Sequence, residues 1–308
     1  MDSKLELESI MPGRVKFDEP MSRHTSLKVG GPASVYAKPS GMAQLSKLLD
    51  WRRLSMPELN YIPVGSGTNL LVRDSGISQM VIDLSSFLST TSKSSRTGNV
   101  LLVAGAGVKT VSLCRFTIRN GFSGLNMMLG IPGTIGGAAM MNAGTSTGSM
   151  GDIIESVIFM TESGQILTKE KKDLDFAYRK MSVKGFETAS ILLLKVCMNI
   201  KSEKFFNLGK EAQQILKKRK KTQPAGVASA GCFFKNPENN KSAGELIDQA
   251  GLKGKMVGGA QVSTKHANFI INKNKATAAD IMELARLVQE TVRNTFGVNL
   301  ETEVKILG

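Results

Sequence analysis

Histidine, cysteine and the larger aromatics are scarce in this chain of 308 residues, which has two His, three Cys, one Trp and three Tyr. His24 and His266 are joined by no Cys or carboxylate cluster at ligand spacing, so a metal site is not expected. No Ser–His–Asp set is readable. Cys114, Cys197 and Cys232 form no CxxC pair, and the start does not read as a signal peptide. The thiols are therefore expected reduced, in a cytoplasm. Long apolar runs are also missing. The longest, Ile191 to Ile200, is broken by Lys195 and is too short to cross a bilayer. So few Trp and Tyr leave little of the aromatic interleaving that a single-strand nucleic-acid binder uses.

What the chain does carry is positive charge. Forty Lys and Arg against 26 Asp and Glu give a formal charge of +14. Such an excess draws in anions: nucleic acid, an anionic membrane or phosphorylated small molecules. The densest run, Lys217-Lys-Arg-Lys-Lys221, reads as a solvated helix end, where cations meet the C-terminal dipole. Apolar residues make up 41% and charged residues 21%, an ordinary globular mixture with enough apolar surface for a sizeable core. The length points to two or three domains.

Hydrophobic patterning alternates strands with helices, which argues for α+β or α/β layers. Strands are expected at Val35–Ala37, Tyr61–Val64, Met80–Leu84, Val100–Ala104, Ile153–Met160, Gln165–Thr168 and Ser190–Ile200. Helices are expected from about Gly41 to Leu54, with Leu45, Leu48, Leu49 and Trp51 inward, and from Thr110 to Arg119, with a stop at Gly121. The first fifteen residues read as a loosely held arm. From Phe205 the texture becomes helical. Thr277-Ala-Ala-Asp280 is a capping box, followed by an apolar face of Ile281, Leu284, Ala285, Val288, Val292 and Phe296, with Gly297 as the stop. A domain boundary is expected near 200–206.

The most informative stretch is Gly130-Ile-Pro-Gly-Thr-Ile-Gly-Gly-Ala-Ala-Met-Met-Asn-Ala-Gly144, whose five glycines leave the main chain almost bare. Glycine lets another molecule touch the backbone, and Pro132 fixes one φ. A second bare loop, Gly65-Ser-Gly-Thr-Asn69, follows a strand and could cradle a pyrophosphate. It is neither a Walker loop nor a G-x-G-x-x-G fingerprint. Together the two strips suit a long ligand with a diphosphate in its middle, such as FAD. Arg179 could grip a carboxylate through two parallel bonds. Cys232, in a turn of small residues, could pass a proton or attack covalently. Glu301 and Glu303 alternate with apolar residues as in a strand and would share a face. Taken singly, a surface arginine, an inert buried cysteine and an exposed carboxylate pair would explain these three as well.

Eight segments in order resemble the UDP-N-acetylenolpyruvoylglucosamine reductase family. They are His24-Thr-Ser-Leu-Lys-Val-Gly-Gly-Pro-Ala33, Val64–Leu71, Gly130–Gly144, Tyr178-Arg179 with Ser182, Gly231-Cys-Phe-Phe-Lys-Asn-Pro237, Ala243–Gly254, His266–Asn272 and Glu301–Ile306. The resemblance implies an FAD-binding fold of the vanillyl-alcohol-oxidase type with a C-terminal α/β substrate-binding lobe. The layout it implies is an arm over 1–25, an FAD-binding region over 26–200 split near 85–100, and a substrate lobe over 201–308 whose last strand carries Glu303. It implies the family's compact second type, noncovalent FAD, NADPH as co-substrate and a UDP-sugar nucleotide as substrate. Nucleic acid and membrane are not expected partners, and oligomeric state is not legible. The implied reaction turns UDP-N-acetylglucosamine enolpyruvate into UDP-N-acetylmuramate for peptidoglycan, hence for cell shape and division. Another FAD-dependent oxidase of the same fold is the alternative, although neither histidine lies in a glycine-rich strip to tether a flavin.

By the same resemblance, Arg179, Cys232 and Glu303 are catalytic. The cofactor contacts are Val64, Gly65, Ser66, Gly67, Thr68, Asn69 and Leu70, with Gly130, Pro132, Gly133, Thr134, Gly136, Gly137 and Asn142. Tyr178, Lys235, Asn236, Gln261 and Lys305 are expected near substrate. Cys232 departs from the serine usual in the family. Asn126 and Ala228 are lesser departures, at positions where the family often has an acidic residue and a proline.

Overall fold

The computed structural model describes residues 3–96, 99–203, 205–238 and 241–308. The chain divides into two compact units, neither of them one continuous stretch. The first comprises residues 1–16, 35–66 and 79–217, and the second 17–34, 67–78 and 218–308. The sequence reading had placed contiguous segments over 1–25, 26–200 and 201–308. Residues 97–98 and 204, within its expected split and boundary, lie outside the described residues.

In the first unit, an antiparallel sheet runs in the order Ile166–Glu170, Ile154–Thr161, Ile191–Ser202, Asn99–Gly105, Thr91–Arg96. Its central strand is the sequence's longest apolar run. Nearly every residue from Ile191 to Ile200 is buried, because neighbours pair on both edges and side chains pack on both faces. Val157 opposes Val196, and Val196 opposes Ala104. The core over this sheet contains Val157, Phe159, Val196, Leu102, Leu113, Ile135, Ala138 and Ala139. Helix Thr110–Arg119 ends before Gly121, whose φ of 70° supplies the left-handed stop. Helix Met42–Ser55 buries Leu45, Leu48, Leu49 and Trp51, the face its periodicity predicts. Strands Tyr61–Val64 and Ile77–Asp83 pair in parallel, with Val64 opposite Asp83.

The N-terminal residues are not a loose arm. Helix Ser3–Ile10 and strand Val15–Pro20 form there, and Leu7 and Met11 are fully buried. Two apolar anchors in an otherwise polar segment are enough to hold it down, although they make too short a pattern to read in advance.

The second unit holds a four-stranded antiparallel sheet in the order Ala228–Ser229, Ile270–Asn272, Ala260–Val262, Met256–Val257. Helix Ala278–Phe296 buries Ile281, Leu284, Ala285, Val288 and Val292, whereas Phe296, expected on that face, is exposed at the last turn. The predicted capping box forms: Asp280 N–H donates to Thr277 Oγ1, and Thr277 N–H donates to Asp280 Oδ2, both at 3.0 Å. Asp74 caps the same end, its two oxygens accepting from Ala278 and Ala279 at 2.9 Å. Strand Lys305–Leu307 runs parallel to Leu70–Val72. Glu303 therefore precedes the last strand instead of lying in it.

Asp83 is the first unit's buried carboxylate, 4% exposed. It accepts from Tyr36 Oη at 2.6 Å and Ser85 N–H at 2.6 Å, and pairs with Lys38 at 3.0 Å. Desolvation, the largest single influence, would raise its pKa. The bonds from Tyr36, Ser85 and Lys38 together outweigh it and leave the pKa lowered. A folded pKa below the unfolded value of about 3.9 stabilises fully above that value and is lost as pH falls through the lower one. Asp83→Asn is expected to cost about 1–3 kcal/mol at neutral pH. It is also expected to flatten the loss of stability below about pH 4, as read from urea midpoints across pH.

Candidate active site

In the first unit the two bare strips meet. A Cβ on Gly65 would lie 2.5 Å from Thr134 Oγ1, so only glycine lets this loop reach the second strip. The segment Ala106–Thr110 runs alongside the strip: Gly136 N–H donates to Ala106 O at 2.9 Å, Ile135 N–H to Val108 O at 2.8 Å, and Thr110 N–H to Gly133 O at 3.1 Å. Between the strips stands Lys109, whose Nζ donates to Ser66 Oγ at 2.9 Å. Desolvation holds its ammonium below the usual lysine range, Asp83 opposing and Lys38 adding to the shift. No motif marks Lys109, and the sequence reading missed it.

The strip itself is not bare coil. Residues Ile135–Met140 form a helix, with Thr134 Oγ1 accepting from Gly137 N–H at 3.4 Å. Most of its glycines have reasons internal to the protein. Gly130 and Gly133 have φ of 76° and 131°, and a Cβ on Gly136 would lie 2.8 Å from that of Ala106. Gly137 is the exception. It is exposed, it does not need a positive φ, and an added Cβ would make only an ordinary 3.5 Å contact. Neither packing nor backbone demands glycine there, which is what a flat ligand lying on the main chain would require.

Arg179 and Tyr178 form the two-residue tip of the hairpin Leu174–Ala177/Lys180–Val183. Arg179 is half-buried and has φ of 60°, an unusual conformation for a residue with a side chain. Its guanidinium lies 4.8 Å from the centre of the exposed Tyr178 ring. Asn142, expected among the cofactor contacts, has a backbone partner for each arm of its amide. Nδ2 donates to Ala177 O at 3.0 Å, and Oδ1 accepts from Gly151 N–H at 2.8 Å.

Cys232 and Glu303 are neighbours in the second unit. Glu303 N–H donates to Phe233 O at 2.8 Å, Phe234 bridges Thr302, and Lys235 N–H donates to Glu301 O at 2.8 Å. The segment after the thiol is clamped by Asn268, 3% exposed: its main-chain O accepts from Phe233 N–H at 2.7 Å, Oδ1 accepts from Phe234 N–H at 2.9 Å, and Nδ2 donates to Phe234 O at 2.8 Å. Gly231, with φ of 81°, turns the chain just before the thiol. Arg219, desolvated and therefore below its usual pKa, interacts electrostatically with Cys232. From the Gly65–Asn69 loop, Asn69 Nδ2 donates to Glu303 O at 3.1 Å. Gly67, with φ of 61°, leaves no room for a Cβ beside His24 O.

The residues expected near substrate are more dispersed. Lys235 pairs with Glu301 at 3.0 Å. Asn236 Oδ1 accepts from Ala243 N–H at 3.1 Å, and Gln261 Nε2 donates to Gly254 O at 3.2 Å. Lys305 is exposed overall, yet desolvation lowers the pKa of its ammonium.

An FAD binding domain model matches residues 33–169, and the C-terminal domain model of UDP-N-acetylenolpyruvoylglucosamine reductase matches residues 223–307. The reductase of Desulfosudis oleivorans is 44% identical over 306 residues, 98% of this chain and 97% of that one. The chain belongs to the UDP-N-acetylenolpyruvoylglucosamine reductase family. The reductase of Geotalea uraniireducens is 38% identical over 308 residues, 100% of this chain and 98% of that one. The crystal structure of UDP-N-acetylenolpyruvylglucosamine reductase (MurB) from Thermus caldophilus superposes with a TM-score of 0.79 at 34% identity, covering 96% of this chain and 99% of that one.

The three thiols differ sharply in access. Cys114 is buried, and desolvation pushes its pKa up to about 12. Cys197 is also buried, and Cys232 is half-exposed. Since the thiolate is the nucleophile, brief treatment with iodoacetamide near pH 7.5 should label Cys232 ahead of the other two, as read by peptide mass spectrometry.

Proposed function

We propose that this chain reduces the enolpyruvyl ether of UDP-N-acetylglucosamine to UDP-N-acetylmuramate, a cytoplasmic step of peptidoglycan synthesis. The observation that carries the reading is the placement of Cys232 and Glu303 on hydrogen-bonded segments, in a chain of this family. Among the described residues no helix is long and apolar enough to cross a membrane.

Gly65, Ser66, Thr134 and Gly137, with Lys109 between the strips, would hold FAD noncovalently, and Gly67–Leu70 continue that loop. Lys109 and the Ser66 hydroxyl are the donor set that a pyrophosphate requires. FAD held there would supply the hydride chemistry that links NADPH to the terminal carbon of the enolpyruvyl double bond. The electron pair of that double bond then moves toward the substrate carboxylate. Arg179 meets the charge developing there, where a fixed cation lowers the barrier. Glu303, if protonated or bridging through water, shares or donates a proton at the same oxygen. Cys232 gives its proton to the neighbouring carbon from one face, which fixes the stereochemistry and leaves a thiolate to be reprotonated from solvent.

The decisive assay supplies purified protein with NADPH and the enolpyruvyl sugar nucleotide and seeks the muramate product. Cys232→Ala should leave flavin reduction by NADPH within about twofold and slow the second half-reaction by roughly 10²-fold or more. Rapid mixing with each half isolated checks this, and equal slowing of both halves counts against the proton-donor role. Lys109→Ala should weaken FAD roughly tenfold, ~1.4 kcal/mol, in a titration followed by flavin fluorescence. Riboflavin, which has no phosphate, should bind both proteins alike.

A further inference from the structure

We infer that Asn142 is a positioning residue for Arg179, an inference that rests on the catalytic reading of that arginine. Asn142 is 8% exposed and sits in the left-handed region with φ of 40°. Asn tolerates that region better than most residues with a side chain. A helix end alone would explain the backbone conformation but not the amide, which joins two other segments.

Its Oδ1 accepts from Gly151 N–H at 2.8 Å, and its Nδ2 donates to Ala177 O at 3.0 Å. Gly151 is in turn pressed against the hairpin, since a Cβ there would lie 2.8 Å from the Phe176 ring. Asn142 thus ties the end of the glycine strip to the strand that delivers the arginine. The point of attachment matters. Ala177 pairs with Lys180 in the last rung of the hairpin, and only Tyr178 and Arg179 lie beyond it.

The tip it holds is strained. Arg179 has φ of 60°, where a residue with a Cβ carries an energetic cost, and its turn has neither Gly nor Asn to relieve it. A free hairpin end would relax toward an unstrained turn and swing the guanidinium with it. Anchoring the carbonyl just before the tip opposes that relaxation. A cation that stabilises developing charge acts only if it is already aimed, because reorienting it during the reaction forfeits the gain. The Asn142 amide therefore sets the aim of Arg179 without itself touching substrate.

Two variants separate the parts of this role. Asn142→Asp is isosteric and keeps the acceptor for Gly151, but puts oxygen against Ala177 O. Asn142→Gly accepts the φ of 40° without strain and removes both bonds. Each is expected to slow the enolpyruvyl half-reaction at least tenfold. With FAD saturating, flavin reduction by NADPH should change by less than threefold, with the loss falling in kcat more than in KM. Hydrogen exchange in peptides covering 174–183 should speed up in both. In an Arg179→Ala background, Asn142→Asp should cause almost no further slowing, because the group it aims is gone. Full-rate second half-reactions in both Asn142 variants, or a loss that persists undiminished in the Arg179→Ala background, would overturn the inference while leaving the arginine's role intact. An Arg179→Ala enzyme with a normal second half-reaction would overturn both. If the glycine variant does not fold, the isosteric Asp variant carries the same arms of the test.

Discussion

Main chain lying directly on main chain is the constraint from which the first unit follows. A Cβ on Gly105 would fall on Leu88 O, one on Gly107 would lie 2.3 Å from Phe87 O, and one on Gly136 would lie 2.8 Å from Ala106 Cβ. These contacts let Ala106–Thr110 run against Gly133–Gly136, and that pairing places Lys109 beside Ser66. Backbone polar groups in such a layer satisfy one another, so the approach costs little in unpaired donors. The Gly65 loop reaches Thr134 for the same reason. Remove the closeness and the charge on Lys109 no longer stands between the two strips.

Much of this architecture was legible where periodicity was strong and local. The capping box at Thr277–Asp280, the stripe from Ile281 to Val292 on the helix behind it and the apolar strand through Ile191–Ile200 all form as patterned. The glycine strip was legible as bare backbone but not as a helix. Propensity disfavours helix in Ile-Gly-Gly-Ala-Ala-Met, and tertiary packing of Ile135, Ala138 and Ala139 overrides it. The two-unit division could not be read as boundaries along the chain, because residues 17–34 and 67–78 cluster with the C-terminal part. The turn at Tyr178–Arg179 carried no signal, since it lacks the residues that positive φ normally selects. Glu303 was expected within a strand because its neighbours alternate. The structure instead has a single bridge at Thr302 and a three-residue strand beginning at Lys305.

The excess of positive charge divides into groups with different surroundings. Lys38 is tied to Asp83 at 3.0 Å, and Lys109 is desolvated beside Ser66. Arg286 pairs with Glu283 and Glu290 on an exposed helix face, where such pairs contribute little. A desolvated ammonium binds an anion more strongly than a hydrated one, because less water must leave when the partner arrives. Lys109, Arg219 and Lys305 are held below their usual pKa chiefly by desolvation. Net charge measured over the whole chain hides this distinction. The proposed binding of FAD and a sugar diphosphate would draw on the few cations that are partly desolvated.

Arg219 also bears on why a cysteine can stand where the family usually has serine. A proton donor must be neutral before the step and tolerably charged after it. A thiol meets the first condition below its reference pKa of about 8.5, and its conjugate base is far more stable than an alkoxide. A nearby cation favours the charged form of an acid, and Arg219 interacts electrostatically with Cys232. In the proposed reaction this interaction would favour the thiolate that proton donation by Cys232 leaves behind. The same interaction would oppose reprotonation, and the Asn268 clamp and the Gly231 turn fix the segments on either side of the half-exposed Cys232. A fully buried thiolate beside a cation would stay deprotonated for want of water, whereas a half-exposed one regains its proton between turnovers.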